Sequence, residues 1–277
     1  MAELLRQDLR LRADRDDSVH QLRIAARRLR SALTSYRPLL EPSATDDLRD
    51  ELRWLGQSLA EARDAQVLRE RLHAVIDAEP PELVLGPVVS RIDDELRTAR
   101  RTGLEDASRA LDSDRYFRLL DALDQLVASP PLSPAADRPA RKALSRLLGR
   151  DAKRLRRAVS AIDASAAGPE RDAALHETRK KAKRLRYAAE SAVPVLGKPA
   201  KRLAASVKKM QQALGEHQDS VVARERLREY GVRAHGSAEN GFTFGRLHGL
   251  EQARGDDAER AFEAAWAGRH GKTVRRW

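Results

Sequence analysis

Cysteine is absent from the sequence, which excludes disulfides and thiolate chemistry. Aromatic residues make up only 4% of the chain, leaving few rings on which nucleobases could stack. Extended alternating runs of Val, Ile, Thr and Tyr are missing, so a β-sheet core lacks its raw material. No stretch approaches the roughly eighteen uncharged apolar residues of a membrane span. The opening Met1–Asp17 segment also lacks the continuous apolar run of a signal peptide. A soluble, cytoplasmic chain without membrane partners is therefore expected. No GxxxxGK[ST] loop is present to cradle nucleotide phosphates, and no acidic cluster stands ready to hold Mg²⁺ for phosphoryl transfer. The expectation is a non-enzyme without cofactor or metal.

What is present points to helices. The 277 residues are 41% hydrophobic and 34% charged, a balance that suits packed amphipathic helices and argues against wholesale disorder. Ala, Leu, Arg and Glu dominate, and all four favour helix. The expected class is all-α. Pro38 and Pro42 close a first helix that begins near Asp17–Ser18. The next starts after Ser43 and reaches Pro80–Pro81, and two more span about 88–110 and 113–128. The Pro- and Ser-rich segment Ser129–Pro139 is the best internal boundary, dividing a bundle at 1–130 from another at 131–277. Gly168–Pro169, Pro194 with Gly197–Pro199, and Gly231–Gly241 mark off further long helices, and a last one runs from Phe242 to about Trp266. Short connections between such elements predict helix bundles.

Charge is unevenly spread. Of the +11 total, residues 131–230 hold 24 Lys and Arg against 11 Asp and Glu, and the remainder is close to neutral. Concentrated positive potential attracts anions, whereas total charge alone predicts only solubility and non-specific attraction.

An internal repeat organises these charges. The segment from Val19 to Arg30, VHQLRIAARRLR, recurs without a gap as LHETRKKAKRLR from Leu175 to Arg186. A second echo follows each copy: Leu59, Glu61, Asp64 and Val67 correspond to Leu214, Glu216, Asp219 and Val222. The histidine-to-aspartate separations are nearly the same, His20 to Asp64 and His176 to Asp219. The chain reads as a tandem duplication.

On a helix with His20 at zero, Arg23, Arg27 and Arg30 fall at about 300°, 340° and 280°, one stripe beside the histidine. Val19, Leu22, Ala26, Leu29 and Leu33 cluster on the core-facing side, and Arg28 lies on the other flank. In the second copy His176, Arg179, Lys183 and Arg186 form the same stripe, with Arg184 in the place of Arg28. Like charges three and four residues apart repel by a few tenths of a kcal/mol per pair, so an unmixed stripe implies an outside anion. Guanidinium groups suit phosphate, pairing with it in bidentate fashion while keeping their charge. The competing reading is that carboxylates of neighbouring helices neutralise the stripe.

Further cations could widen the patch: Arg146, Arg150, Lys153, Arg154 and Arg157, then Lys201, Lys208 and Lys209, with Arg49 and Arg53 in the first half. For each, a solvated face is as good a reading as a binding one. Asp64 and Asp219 either orient neighbouring basic side chains or serve helix ends. His20 and His176 sit among cations that repel a divalent metal, and a phosphate-bound imidazolium fits them better. His217 and Asp219 are too few for a metal site, and His73, His235 and His270 read as structural.

The two histidine motifs, each followed by an LxExxD segment, resemble the CHAD family, the conserved histidine α-helical domain. The resemblance includes the Gly245–Leu250 segment GRLHGL that leads into the last helix. It implies two four-helix bundles related by pseudo-twofold symmetry, with basic faces lining a shared cavity or groove. It also implies binding of inorganic polyphosphate, with association with polyphosphate granules in some members; free phosphate or sulfate would occupy such a site in crystals. Carried over, His20, Arg23, Arg27, Arg28 and Arg30 contact phosphate in the first half, and His176, Arg179, Lys183, Arg184, Arg186 and Tyr187 in the second. The first copy departs from the pattern with Ala60 where the family favours glycine, which Gly215 retains. The E-x-E-x-K signature of triphosphate-tunnel enzymes, carried by some CHAD proteins in a separate domain, is missing. Nucleic acid is disfavoured as the ligand because the stripes carry almost no aromatic residue and no nucleic-acid module is recognisable. Generic polyanion binding, an acidic protein partner and an accessory role beside a polyphosphate-metabolising enzyme are the alternatives.

Overall fold

The computed structural model describes residues 1–13, 15 and 17–277. Among them every regular element is helical, apart from one antiparallel bridge between Leu40 and Leu132. The first half carries α1 (Ala2–Arg12), α2 (Ser18–Tyr36), α3 (Pro42–Ser58), α4 (Ala60–Ile76), α5 (Val88–Leu111) and α6 (Asp114–Ala128). The second carries α7 (Ala140–Asp163), α8 (Pro169–Leu196), α9 (Lys198–Gly236), α10 (Phe242–Ala267) and α11 (Arg269–Arg275). Proline in the first turn of α3, α8 and α9 supplies a preset φ where no hydrogen-bond donor is needed. The Ser113 hydroxyl caps α6 by accepting from the Tyr116 backbone N–H at 3.3 Å.

The structure departs from the sequence expectation at five places, one of them α11, which follows the helix expected to be the last. A single helix was expected from Ser43 to Pro80, but the chain breaks at Leu59 between α3 and α4. Neither glycine nor proline marks that break. Pro194 lies inside α8, near enough to its end that little of the hydrogen-bond ladder is lost, and Gly197 with φ +64° stops the helix. Helix α9 runs through Gly231 as far as Gly236, reaching 39 residues. The opening segment, left without an element, forms α1.

The helices gather into two compact units. One comprises Met1–Val67 and Asp93–Ala143, and the other Leu68–Ile92 and Leu144–Trp277. The division thus differs from a single cut at residue 130, because the end of α4 and the start of α5 join the later helices. The first unit is built on Leu22, Ala26 and Leu33 of α2, Leu52 and Leu55 of α3, and Tyr116, Leu119 and Leu123 of α6. In the second, Leu148 and Leu155 of α7, Leu185 and Ala189 of α8, and Leu203, Val207 and Leu214 of α9 form the core, joined by Phe262 and Val274. Helix α9 packs along both α8 and α10. At about 25 cal/mol per Å², each fully buried leucine side chain contributes about 2 kcal/mol. Within the first unit Gly103 of α5 presses on α4: a Cβ there would lie 2.4 Å from the Ala62 backbone nitrogen.

Candidate polyanion-binding faces

The apolar side of α2 is committed to the core by Leu22, Ala26 and Leu33, which fixes its basic side away from that core. Leu175, Ala182 and Leu185 do the same for α8. The charged side chains of the two motifs then meet different surroundings, described unit by unit.

In the first unit Arg23 is answered. Its guanidinium reaches Asp64 at 2.6 Å and donates to the Ala60 carbonyl at 3.4 Å. Arg30 is not: among the described residues no carboxylate pairs with it. It is half-buried, and burial followed by the charges of Arg53, Arg27 and Arg49 holds its pKa below the usual arginine value. Arg49 and Arg53, one turn apart on α3, are held by Asp46 at 2.7 Å and Asp50 at 2.8 Å. Arg27, Arg30, Arg49 and Arg53 therefore make a cluster of guanidinium groups from α2 and α3, in which Arg30 has only cations for charged neighbours. Arg28 is exposed on the flank, with no carboxylate partner among the described residues. His20 is half-buried, and burial, then Arg63, Arg27 and Arg23, push its ring toward the neutral form against a weaker pull from Asp17.

In the second unit the motif is also partly answered. Arg184 donates to Asp151 of α7, 3.0 Å away, and Arg154 pairs with the same buried carboxylate at 2.7 Å. Arg186 lies 3.3 Å from Glu190 and over the ring of Tyr187 at 4.8 Å. Tyr187 is itself buried, so the ring serves as a platform for Arg186. The Arg179 guanidinium passes beside Gly215, where a Cβ would sit at an ordinary 3.7 Å. That spacing explains how Ala60 is tolerated at the corresponding place in the first copy. Asp219 is half-buried; burial raises its pKa, opposed by Arg179, Arg71 and Lys183. Each unit thus sets the motif's first arginine against the aspartate of its second echo. His176 is bonded through Nδ1 to Gln218 Oε1, and burial, aided by Lys180 and Arg179, still lowers its pKa. His217 is buried against Asp172 at 3.2 Å, a structural contact.

The flanking cations complete the picture. Arg146, Arg150, Lys153 and Arg157 are exposed on α7, and Lys201, Lys208 and Lys209 on α9, where no acid intervenes between Lys198 and Glu216. No carboxylate among the described residues pairs with Arg150, Arg157, Lys201, Lys208 or Lys209. The expectation of a wholly unmixed motif stripe is therefore corrected. Arg23, Arg184 and Arg186, with Arg53 and Arg154 beside them, have carboxylate neighbours, whereas among the described residues no carboxylate pairs with Arg28, Arg30, Arg150 and Arg157 of α7, or Lys201, Lys208 and Lys209 of α9. The physical reason is that α4 and α7 bring Asp64 and Asp151, far away in sequence, against Arg23 and Arg184, while Glu190 lies one turn beyond Arg186 on the same helix.

Sequence reasoning passed over Arg63, Gln218 and Asp151. Arg63 and Gln218 stand one residue before Asp64 and Asp219, so the echo itself carried the signal. Asp151, a single acid in a basic run, carried one too. No group of three or more His, Asp or Glu side chains among the described residues is placed to hold a metal ion. No described helix is long and apolar enough to cross a membrane.

The CHAD domain family model matches residues 1–228. Two uncharacterized proteins of Mycobacterium tuberculosis, from strains CDC 1551 and H37Rv, are each 40% identical over 261 residues, covering 94% of this chain. The chain spans about half, 49%, of the length of those relatives. Among solved structures, PptA from Streptomyces chartreusis superposes with a TM-score of 0.80 at 26% identity, over 96% of this chain and 95% of that one. The CHAD domain from the plant Ricinus communis is similar in fold, with a TM-score of 0.66 at 24% identity, covering 97% of this chain and 88% of its own. With its duplicated histidine helices matched by the family model, this chain belongs to the CHAD domain family.

Proposed function

We propose that the chain binds inorganic polyphosphate, without catalysis, on the basic faces of α2–α3 and α7–α9, and that it does so at polyphosphate granules. One observation carries the reading: Arg30 is half-buried among Arg27, Arg49 and Arg53 with no carboxylate partner among the described residues. Clustered guanidinium groups destabilise a free surface and become favourable once a chain of phosphates threads between them. The carboxylates that do touch the motif, Asp64, Asp151 and Glu190, hold Arg23, Arg184 and Arg186 in place. Polyphosphate offers charge and oxygen alone, which matches faces with almost no aromatic residue.

Competition tests this. Binding to polyphosphate is measured at about 150 mM salt and challenged with single-stranded DNA at matched phosphate concentration, since counterion release drives either ligand. Selective retention of polyphosphate is the expected result. Equal displacement reduces the function to generic polyanion binding. Reversal of Arg23 and Arg27, or of Arg179 and Lys183, to Glu removes most of the affinity; undiminished binding would place the site elsewhere.

A further inference from the structure

The duplication is imperfect at one informative position. Aligning Leu59–Asp64 with Leu214–Asp219 sets Arg63 opposite Gln218, each one residue before the aspartate that faces the motif arginine. Both residues approach the motif histidine of their own unit, and they treat it differently.

In the first unit α4 meets the His20 helix where Asp64 holds Arg23 at 2.6 Å, and Arg63, the residue before it, lies within electrostatic reach of His20. After burial it is the strongest influence on that ring, ahead of Arg27 and Arg23 of α2, with Asp17 opposing. Arg63 is half-buried, and no carboxylate among the described residues pairs with it. His20 makes no hydrogen bond that would fix its ring among the described residues. The first unit thus gains another cation and leaves its histidine without a defined tautomer.

In the second unit Gln218 of α9 holds His176 through Nδ1. The Oε1 atom only accepts, so Nδ1 carries the proton and Nε2 is the nitrogen left for an outside group. The charged groups around this ring are Lys180, Arg179 and Glu177, all on α8. A neutral ring in this tautomer offers a phosphate oxygen only a lone pair at Nε2. Contact therefore requires a second proton, and the Gln218 bond favours the doubly protonated ring.

We infer that the two units grip the polyanion by unlike contacts: Arg63 is a further binding residue of a purely ionic first site, and Gln218 is a positioning residue that aims the His176 Nε2–H at a phosphate oxygen. This rests on the polyphosphate reading above. The first site takes its strength from charge alone and its affinity falls steeply with salt. The second adds one directional bond made with uptake of a proton.

The test uses the full chain and polyphosphate of defined short length. Titration from about 50 to 300 mM salt gives affinity and its salt slope, while ¹⁵N shifts of the histidine rings report tautomer and protonation. Arg63→Gln is expected to weaken binding severalfold and to reduce the logarithmic salt slope by about 0.7 to 1, with Arg63→Lys restoring both. Gln218→Ala is expected to leave the salt slope unchanged at about pH 8 and to lower it at about pH 6, where the wild-type His176 adds a charge to the contact. It moves His176 away from the Nδ1–H tautomer and flattens the pH dependence of affinity, readouts that simple destabilisation does not produce. Wild-type affinity and slope in Arg63→Gln, or an Nε2–H tautomer for neutral His176 in the wild type, would overturn the inference while polyphosphate binding stands. A wild-type chain that binds no polyphosphate would overturn both readings.

Discussion

Replacing Arg30 with glutamine should move two quantities in opposite directions. Arg30 is half-buried, its charged neighbours are Arg27, Arg49 and Arg53, and no carboxylate among the described residues pairs with Arg30 itself, while Asp46 and Asp50 hold Arg49 and Arg53. At a few tenths of a kcal/mol for each like-charge neighbour, relief of three repulsions stabilises the free chain by about 1 kcal/mol. In a chain of this size that is a rise of about 2–4 °C in unfolding midpoint. Glutamine keeps the aliphatic stem and a donor, so packing loss is small. Binding changes the other way. A charge-assisted hydrogen bond contributes about 1.5–3 kcal/mol, so polyphosphate affinity should fall about ten- to a hundredfold. Thermal unfolding and isothermal titration at about 150 mM salt measure both effects, and raising the salt should shrink the stability gain as repulsion is screened. A variant that melts lower than wild type and binds equally well would refute the argument, showing Arg30 to be a structural cation.

Affinity for polyphosphate should rise as pH falls from about 8 to about 6. His20 and His176 are held toward neutrality by burial and neighbouring cations, bound phosphate favours their protonation, and the complex takes up protons; a flat titration would remove both histidines from the site. Gly103→Ala should destabilise the first unit by about 1–2 kcal/mol, because a Cβ 2.4 Å from the Ala62 backbone nitrogen outweighs the gain of up to about 1 kcal/mol in helix propensity; unchanged denaturant midpoint would refute the close contact. Arg71→Met should cost about 1.5–3 kcal/mol in the second unit, since Glu251 is fully buried and Arg71 holds it at 2.6 Å, while Arg254 stays on the same carboxylate at 3.1 Å. Chemical denaturation followed with Glu251→Gln in the same background should recover part of that loss. Arg37, then Arg49, hold the Asp46 carboxyl down to about 2 from its ordinary 3.8. That contribution is complete above about pH 4 and disappears as pH falls through about 2, so Asp46→Asn should flatten acid unfolding in that window.

The helical class, most helix ends after the first turn of the chain, and the motif faces were legible because each is written in local spacing. Leu22, Ala26 and Leu33 are where their periodicity places them, as are Leu175, Ala182 and Leu185. The break at Leu59 was not legible, since a one-residue interruption without glycine or proline leaves no composition signal. Nor was the assignment of residues 68–92 to the later unit, which depends on contacts of distant helices.

Repetition and spacing determined which side of α2 and α8 carries the charge, because a helix of fixed pitch sorts its own side chains into faces. They could not decide which cations meet an acid. Asp64 reaches Arg23 from 41 positions away, and Asp151 reaches Arg184 from 33. Such pairings arise only when α4 and α7 pack against the motif helices. The same packing leaves Arg30 among cations alone and sets Arg63 and Gln218 against histidines that the sequence presents as equivalent. Pitch is a local property of the backbone, whereas charge compensation depends on distances through space.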